Sequence, residues 1–518
     1  MHIINIFYSA LALSQGVLAA SSADWSSRSI YQVLTDRFAR TDLSTTAPCN
    51  TGDSIYCNGT WVGIMNKLDY IKDMGFDAVW ISPITTQLEG NTPYGWAFHG
   101  YWQQDITTVN YHFGTEAELI ALAAALHSRG MYLMLDVVIN HVGWNGAPNT
   151  VNYTAFNPFS SPSQYHTYCP INYTDTANLT QIEDCWLGDT VVSLPDLRTE
   201  DASVANTWNT WIANTVSKYS IDGLRLDSAM QVDPAFWAGF GSASNMYMVG
   251  EVYNADPTLV CSYQNELPGL LNYPVYWPLF RAFTSTSGNI SALASAMTQM
   301  TDDCKDTSLL GSFSENHDLP RVAEANSDIN LAQNILVFTI LQDGIPIVYQ
   351  GQEQHYAALG AVMSGEPAPW NREALWLSGY NQSAVLYQLI AKLNLARKNA
   401  IGVDVSHLAY RNWPIYQDEH TLAMRKGNMI TVLSNQGSNS GTYTLPLNST
   451  LLPGTKVTEL LTCTELTVDG GGGLAVPMSQ GLPRVYYPSA NIGTQCSSKS
   501  SAARNAAVAK HFPKHFQA

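Results

Sequence analysis

The chain has 518 residues, 46% hydrophobic and only 13% charged, which suits a well-filled core and excludes a disordered polymer. Its 25 Lys and Arg against 42 Asp and Glu give a formal net charge of -17. That balance excludes the basic surface that nucleic acid or an anionic membrane requires, and it fits a neutral ligand.

In chain order, the N-terminus is apolar from Ile3 to Leu13 and turns to small residues at Ala19 and Ala20. This is the pattern of a secretory signal peptide over residues 1–20. No later window is long and apolar enough to span a bilayer. Eight short β-rich runs follow: SIYQVL (29–34), DAVWISPI (77–84), MYLMLDVVINH (131–141), IDGLRLD (221–227), MYMVGEV (246–252), LLNYPV (270–275), LLGSFSENHD (309–318) and IPIVYQG (345–351). Segments between them, such as 114–130, carry helical spacing and a glycine stop. Alternating strand and helix predicts a parallel sheet, and eight such units predict a closed (β/α)₈ barrel over 21–141 and 196–400. Residues 142–195, rich in Asn, Thr, Pro and Tyr, are too long for a simple connection and predict a small inserted domain after strand three. From 401 to 496 short alternating segments separated by GSNSG and GGGG predict an antiparallel β-domain. The basic stretch 497–518 is expected to be a disordered tail.

Eight cysteines lie as close neighbours in sequence: Cys49 and Cys57, Cys169 and Cys185, Cys261 and Cys304, Cys463 and Cys496. Behind a signal peptide an even count argues for disulfides, while the connectivity stays open. Sequons at Asn58, Asn152, Asn172, Asn178, Asn289, Asn381 and Asn448 agree with an extracellular location.

Active-site groups of such a barrel stand at the C-terminal ends of its strands. Strand three ends in Asp136, Asn140 and His141, strand four in Arg225 and Asp227, strand five in Glu251, and strand seven in Glu315, Asn316, His317 and Asp318. Asp227, Glu251 and Asp318 each follow an apolar run, where an unpaired charge is costly. Ion pairs closing the rim would account for one such carboxylate. Three, converging with an arginine and two histidines, point to glycoside cleavage by a nucleophile and an acid/base. Arg225, two residues before Asp227 on the same strand face, favours a charged nucleophile. Glu251 as the acid needs apolar walls or other carboxylates to keep its proton. The stretch YGWAFHGYWQQD (94–105) adds Tyr94, Trp96, Phe98, Tyr101 and Trp102 around His99 as sugar platforms.

DVVINH, GLRLD, GEVYNADP and FSENHD, with LPDL and EDCWLGD in the insertion, resemble the signature segments of secreted fungal α-amylases of the Taka-amylase type, in the α-amylase family of glycoside hydrolases. The resemblance runs from about residue 24 to 496. It implies a barrel domain, an inserted domain, a C-terminal β-sandwich and a monomer acting on α-1,4-glucan. It also implies Asp227 as nucleophile, Glu251 as general acid/base and Asp318 as the carboxylate that helps hold the distorted sugar. Arg225, His141, His317, Tyr101, Trp102 and Arg372 match residues around the reacting ring. Structural calcium is implied at Asn140, Asp196 and the backbone oxygens of Glu183 and Gln231, and the cysteines are implied to pair with their sequence neighbours.

The chain departs from that pattern where a Lys-His pair usually follows the nucleophile: Met230 and Gln231 stand there, and Ala255 replaces a common glycine. These three positions are candidate sugar contacts on the leaving-group side. The segment 355–372 is longer than usual and adds Trp370 near Arg372. Endo-acting hydrolysis is the first reading. Transfer to a sugar acceptor is the second, aided if an apolar Met230 excludes water there. A carbohydrate-binding protein with vestigial activity is the third, disfavoured by the complete set of carboxylates.

Overall fold

The computed structural model describes residues 20–175, 177–359 and 368–497. The expected signal peptide, apart from Ala20, and the expected tail beyond residue 497 lie outside the described residues. Eight parallel strands form one sheet: β1 (Ile30–Gln32), β2 (Ala78–Ile81), β3 (Tyr132–Val138), β4 (Gly223–Asp227), β5 (Tyr247–Gly250), β6 (Gly269–Leu270), β7 (Gly311–Ser312) and β8 (Ile345–Tyr349). Their order is β6-β5-β4-β3-β2-β1-β8-β7. A parallel bridge between Leu271 and Gly311, with Asn272 N donating to Gly311 O at 2.9 Å, joins the two edges into a barrel.

Alternation along each strand sorts the side chains into two layers. Tyr31, Val79, Leu133, Leu135, Leu224 and Leu226 face the surrounding helices in the main core. Ile30, Ala78, Trp80, Met134, Val249 and Ile347 fill the barrel itself, together with Trp25. Trp25, from the helix Ser22–Ser26, closes the N-terminal end, where its Nε1 donates to Asp222 O at 2.9 Å. A Cβ on Gly223 would stand 2.6 Å from that indole, so the glycine opening β4 is required by close approach.

Two runs are shorter strands than the sequence predicts. The 270–275 run stops at Leu270 because Asn272 Oδ1 accepts from Val275 N at 3.3 Å and caps the helix Tyr273–Phe283, with Pro274 in its first turn. The 309–318 run keeps only β7, and its polar end becomes the loop that carries Glu315 to Asp318.

Residues 142–195 leave the barrel after β3 as a compact excursion. It is built on the ladder Trp144–Asn145 with Val192–Ser193 and around buried Phe156, Phe159, Tyr165, Ile182 and Trp186. All four cysteine pairs are bonded between sequence neighbours: Cys49–Cys57, Cys169–Cys185, Cys261–Cys304 and Cys463–Cys496.

The C-terminal part holds β9 (Trp413–Gln417), β10 (Thr421–Lys426), β11 (Met429–Ser434), β12 (Thr442–Asn448), β13 (Lys456–Glu459), β14 (Glu465–Thr467), β15 (Gly473–Ser479) and β16 (Arg484–Pro488). A six-stranded antiparallel sheet, β9-β10-β11-β16-β13-β14, faces the β12–β15 ladder across Ile430, Val432, Leu445, Leu474, Val476 and Tyr486. Pro414 and Pro477 interrupt β9 and β15, and β14 is only three residues long.

Asn334, on the helix Ile329–Leu341, ties this sheet to the barrel. Its Nδ2 donates to Asn330 O and Gly481 O, both at 2.7 Å, and its Oδ1 accepts from Ser434 N at 2.9 Å. Asn334→Leu would leave Ser434 N and Gly481 O buried without this partner. The expected loss is about 2–4 kcal/mol, read as a lower denaturant midpoint. An unchanged midpoint would show that docking does not depend on this amide.

Candidate active site

The chain turns sharply where β4 ends. Arg225 and Asp227 share one face of the strand, and Ser228 follows with φ 49°, a left-handed conformation that costs a residue with a Cβ. That turn aims Ser228 N at Glu251 Oε2 (3.0 Å) and Ser228 Oγ at Asp227 Oδ2 (2.8 Å).

Arg225 is 1% exposed and divides its guanidinium among three carboxylates. Nη1 reaches Asp136 Oδ1 at 2.9 Å and Asp227 Oδ1 at 2.7 Å, and Nη2 reaches Glu251 Oε2 at 2.9 Å. Burial would lower the Arg225 pKa, but Asp136, Glu251 and Asp227 together hold it well above its usual value. Burial pushes Asp136 up to about 6 and Glu251 up to about 7, against the pull of Arg225. Glu251 also accepts from Tyr273 Oη at 3.0 Å, through its other oxygen.

Asp318 stands on the opposite wall. His317 Nε2 lies 3.1 Å from Oδ2 and Arg372 Nη2 lies 3.1 Å from Oδ1. Its side chain is 36% exposed, against 11% for Asp227 and 10% for Glu251, so it meets solvent most openly. Burial raises its pKa, but His317 and Arg372 outweigh that and hold the carboxyl below the usual range. Burial pulls His317 down to about 4 and lowers His141, which leaves both rings neutral near pH 7. Gln32 Nε2 lies 2.8 Å from His317 Nδ1. An amide donating to Nδ1 keeps the ring proton on Nε2, facing Asp318.

Aromatic rings complete the cleft. Tyr101 stacks on His317 with centroids 5.0 Å apart and planes 4° apart, and its hydroxyl donates to Asp136 Oδ2 at 2.8 Å. Trp102 meets His99 edge-on at 4.6 Å. His141 Nε2 lies 3.2 Å from Tyr101 O.

The structure thus brings together Asp227, Glu251, Asp318, Arg225, His141, His317, Tyr101, Trp102 and Arg372. It does not place Met230 with them: that side chain is 3% exposed and packs into the main core. An apolar side chain on a half-turn turns inward where a lysine would stay in water. Gln231 keeps partial exposure, and Ala255 is exposed on the loop past Glu251. In the 355–372 segment, residues 360–367 lie outside the described residues. Sequence reasoning missed Gln32, Trp80, Ser228 and Tyr273. Gln32 was detectable as a lone polar residue in an apolar strand, whereas Tyr273 was hidden in a run read as strand.

A second group lies where residues 142–195 return to the barrel. Asn140 Oδ1 and Asp196 Oδ1 are buried with no hydrogen-bond partner, while Asp196 Oδ2 pairs with His166 Nδ1 at 2.7 Å. The helix Leu179–Asp184, which carries Glu183, packs against the half-turn Ala229–Gln231. Among the described residues no three His, Cys, Asp or Glu cluster as a metal site.

The catalytic-domain model of α-amylase matches residues 32–373, and the model of α-amylase domain C matches 414–504. The chain is 47% identical over 479 residues to α-amylase 2 of Schwanniomyces occidentalis, covering 92% of each. It is 45% identical to the α-amylase of Saccharomycopsis fibuligera, covering 91% of this chain and 94% of that protein. An α-amylase structure from Malbranchea cinnamomea superposes with a TM-score of 0.88 at 49% identity, covering 92% of this chain and 99% of that one. The chain belongs to the α-amylase family of glycoside hydrolases.

Proposed function

We propose that the protein hydrolyses internal α-1,4-glucosidic bonds of starch, glycogen or maltooligosaccharides by a retaining double displacement. One observation carries the reading. Arg225 binds Asp227 through one terminal nitrogen and Glu251 through the other, which sets two carboxylates side by side. Such closeness agrees with the separation of roughly 5 Å used by retaining glycosidases.

In the first step Glu251 gives its proton to the glycosidic oxygen as the bond to the leaving sugar breaks. Asp227 Oδ bonds to the anomeric carbon. In the second step Glu251, now a carboxylate, takes a proton from water, whose oxygen attacks the same carbon and frees Asp227. Asp318, with Arg372 and His317, grips the ring hydroxyls, and Tyr101 stacks beneath the flattening ring. The transfer alternative needs a sugar in place of that water. Met230, buried in the core, gives it no support, so hydrolysis is the reading we hold.

Asn140, Asp196 and the backbone oxygens of Glu183 and Gln231 form an oxygen-only set suited to Ca²⁺, and the orphaned oxygens of Asn140 and Asp196 are what such an ion would satisfy. Bound there, the ion would supply structural cross-linking between the insertion and the half-turn after Asp227. We read 1–20 as a secretory leader, 142–195 as an inserted domain and 401–496 as a sandwich domain. Secretion and glycosylation are supported by four disulfides and by the exposure of all the sequon asparagines. No described helix is long and apolar enough to cross a membrane.

Incubation with maltoheptaose should yield only shorter products, and Asp227→Asn should abolish turnover. Longer products would establish transfer instead, and an active Asp227→Asn would remove the nucleophile assignment. For pH, the acid must be protonated, and burial raises Glu251 to about 7. kcat/KM should therefore hold below pH 7 and fall about tenfold per unit above it. Glu251→Gln should cost about 10²–10⁴-fold and erase that limb, whereas a flat profile to pH 9 would contradict the role. A chelator should lower Tm by several degrees, and Asp196→Ala should remove most of that response. Equal Tm with and without chelator would rule calcium out.

A further inference from the structure

A cavity of about 570 Å³ lies away from the catalytic cleft, between the strand Gln103–Val109 and the helix Ala202–Tyr219. The helix reads ASVANTWNTWIANTVSKY, and its exposed positions toward the cavity are Asn206, Thr210, Asn214 and, at one end, Lys218. Asn and Thr are poorer helix formers than the Ala, Glu or Lys that usually fill solvent positions, so helix stability does not account for them. Lys218 is the helix's only charge, and it is paired with Glu116 at 2.5 Å. Thr107 and Thr108 line the other wall.

Trp211 stands between these walls. Its Nε1 donates to Ile106 O at 2.5 Å and its ring abuts Trp208 edge-on at 5.3 Å, so the half-buried indole is held rigid. A fixed aromatic surface, amides and hydroxyls without net charge have the chemistry that recognises a neutral sugar, with little ordering cost.

The strand also links this cavity to the cleft. Gln103 Nε2 donates to Val138 O and His141 O at the cleft, while Val109, at the strand's far end, lines the cavity. Six residue steps place the two ends about 20 Å apart. We propose that the cavity is a second α-glucan site, which takes a segment of a long polymer while another segment occupies the cleft. The proposal rests on the α-glucan reading of that cleft. Simultaneous engagement would raise the effective concentration of polymer at Asp227 and Glu251 without altering short substrates.

Thr210→Arg and Asn214→Arg each place a long cation at the mouth from an exposed position where arginine is a good helix former. Binding is read as retardation in native gels containing amylopectin, in an Asp227→Asn background and normalised to gels without polysaccharide. Activity is read in the active parent as kcat/KM on maltopentaose and on amylopectin. Both variants should weaken retardation and lower kcat/KM on amylopectin by about tenfold, with kcat/KM on maltopentaose unchanged. Parental retardation in both variants would overturn the proposal, as would equal losses on both substrates, which would mark a structural effect. If the parent itself left maltopentaose uncut, the reading of the cleft would fail separately from that of the cavity.

Discussion

One buried guanidinium organises the cleft. Arg225 touches Asp136 on β3, Asp227 on its own strand and Glu251 just past β5. A single positive charge in a low-dielectric setting cannot neutralise three carboxylates, so a proton must stay within the cluster. Glu251 rises to about 7 and Asp136 to about 6, and of the two Glu251 is the more open, its side chain 10% exposed against 0% for Asp136. Asp136 is closed off by Trp80 Nε1 at 3.0 Å and the Tyr101 hydroxyl at 2.8 Å. The arginine thereby gives the carboxylates different settings: Asp136 buttresses the wall, while Asp227 and Glu251 stand where the proposed mechanism needs its nucleophile and its proton carrier.

The barrel makes that arrangement possible by putting opposite demands on its two ends. Trp25 seals the N-terminal end with apolar surface, and the interior layer of Ile30, Trp80, Met134 and Ile347 gives the charge cluster a dry floor. At the other end the strands stop abruptly and their last side chains are polar. Short β6 and β7 serve the same purpose, since Tyr273 and the Glu315 to Asp318 loop reach the cleft only because the strands end early. Not every carboxylate at the rim belongs to the chemistry. Glu315 is tied to Arg321 at 3.0 Å and to Val322 N at 2.8 Å, which makes it a brace for the loop.

The eight strands were legible because parallel strands buried on both faces read as apolar runs, and Asp227, Glu251 and Asp318 stood out as polar residues ending such runs. The boundaries of β6 and β7 were not, because an Asn cap and a loop start look like strand ends until the hydrogen bonds are seen. Ser228 was illegible for another reason. Its left-handed φ and the backbone N–H it gives Glu251 are not specific to serine, and its hydroxyl finds Asp227 only once that turn is made. Gln32 and Tyr273 act through distant partners, so only the closed barrel brings them to His317 and Glu251.

The half-turn after Asp227 shows how a loss of charge can be read in two ways until burial is known. In sequence, Met230 and Gln231 looked like altered sugar contacts. In the fold, Met230 joins the core, and what stands open near Glu251 is Gln231, Ala255 and the ring of Tyr253, 49% exposed and tilted over Tyr273 at 4.7 Å. An uncharged amide and an aromatic face interact with a neutral sugar through contacts that salt does not screen, unlike those of a cation. Met230 thus bears on this side of the cleft mainly as packing: it anchors the half-turn that follows Ser228, the residue that bonds both Asp227 and Glu251.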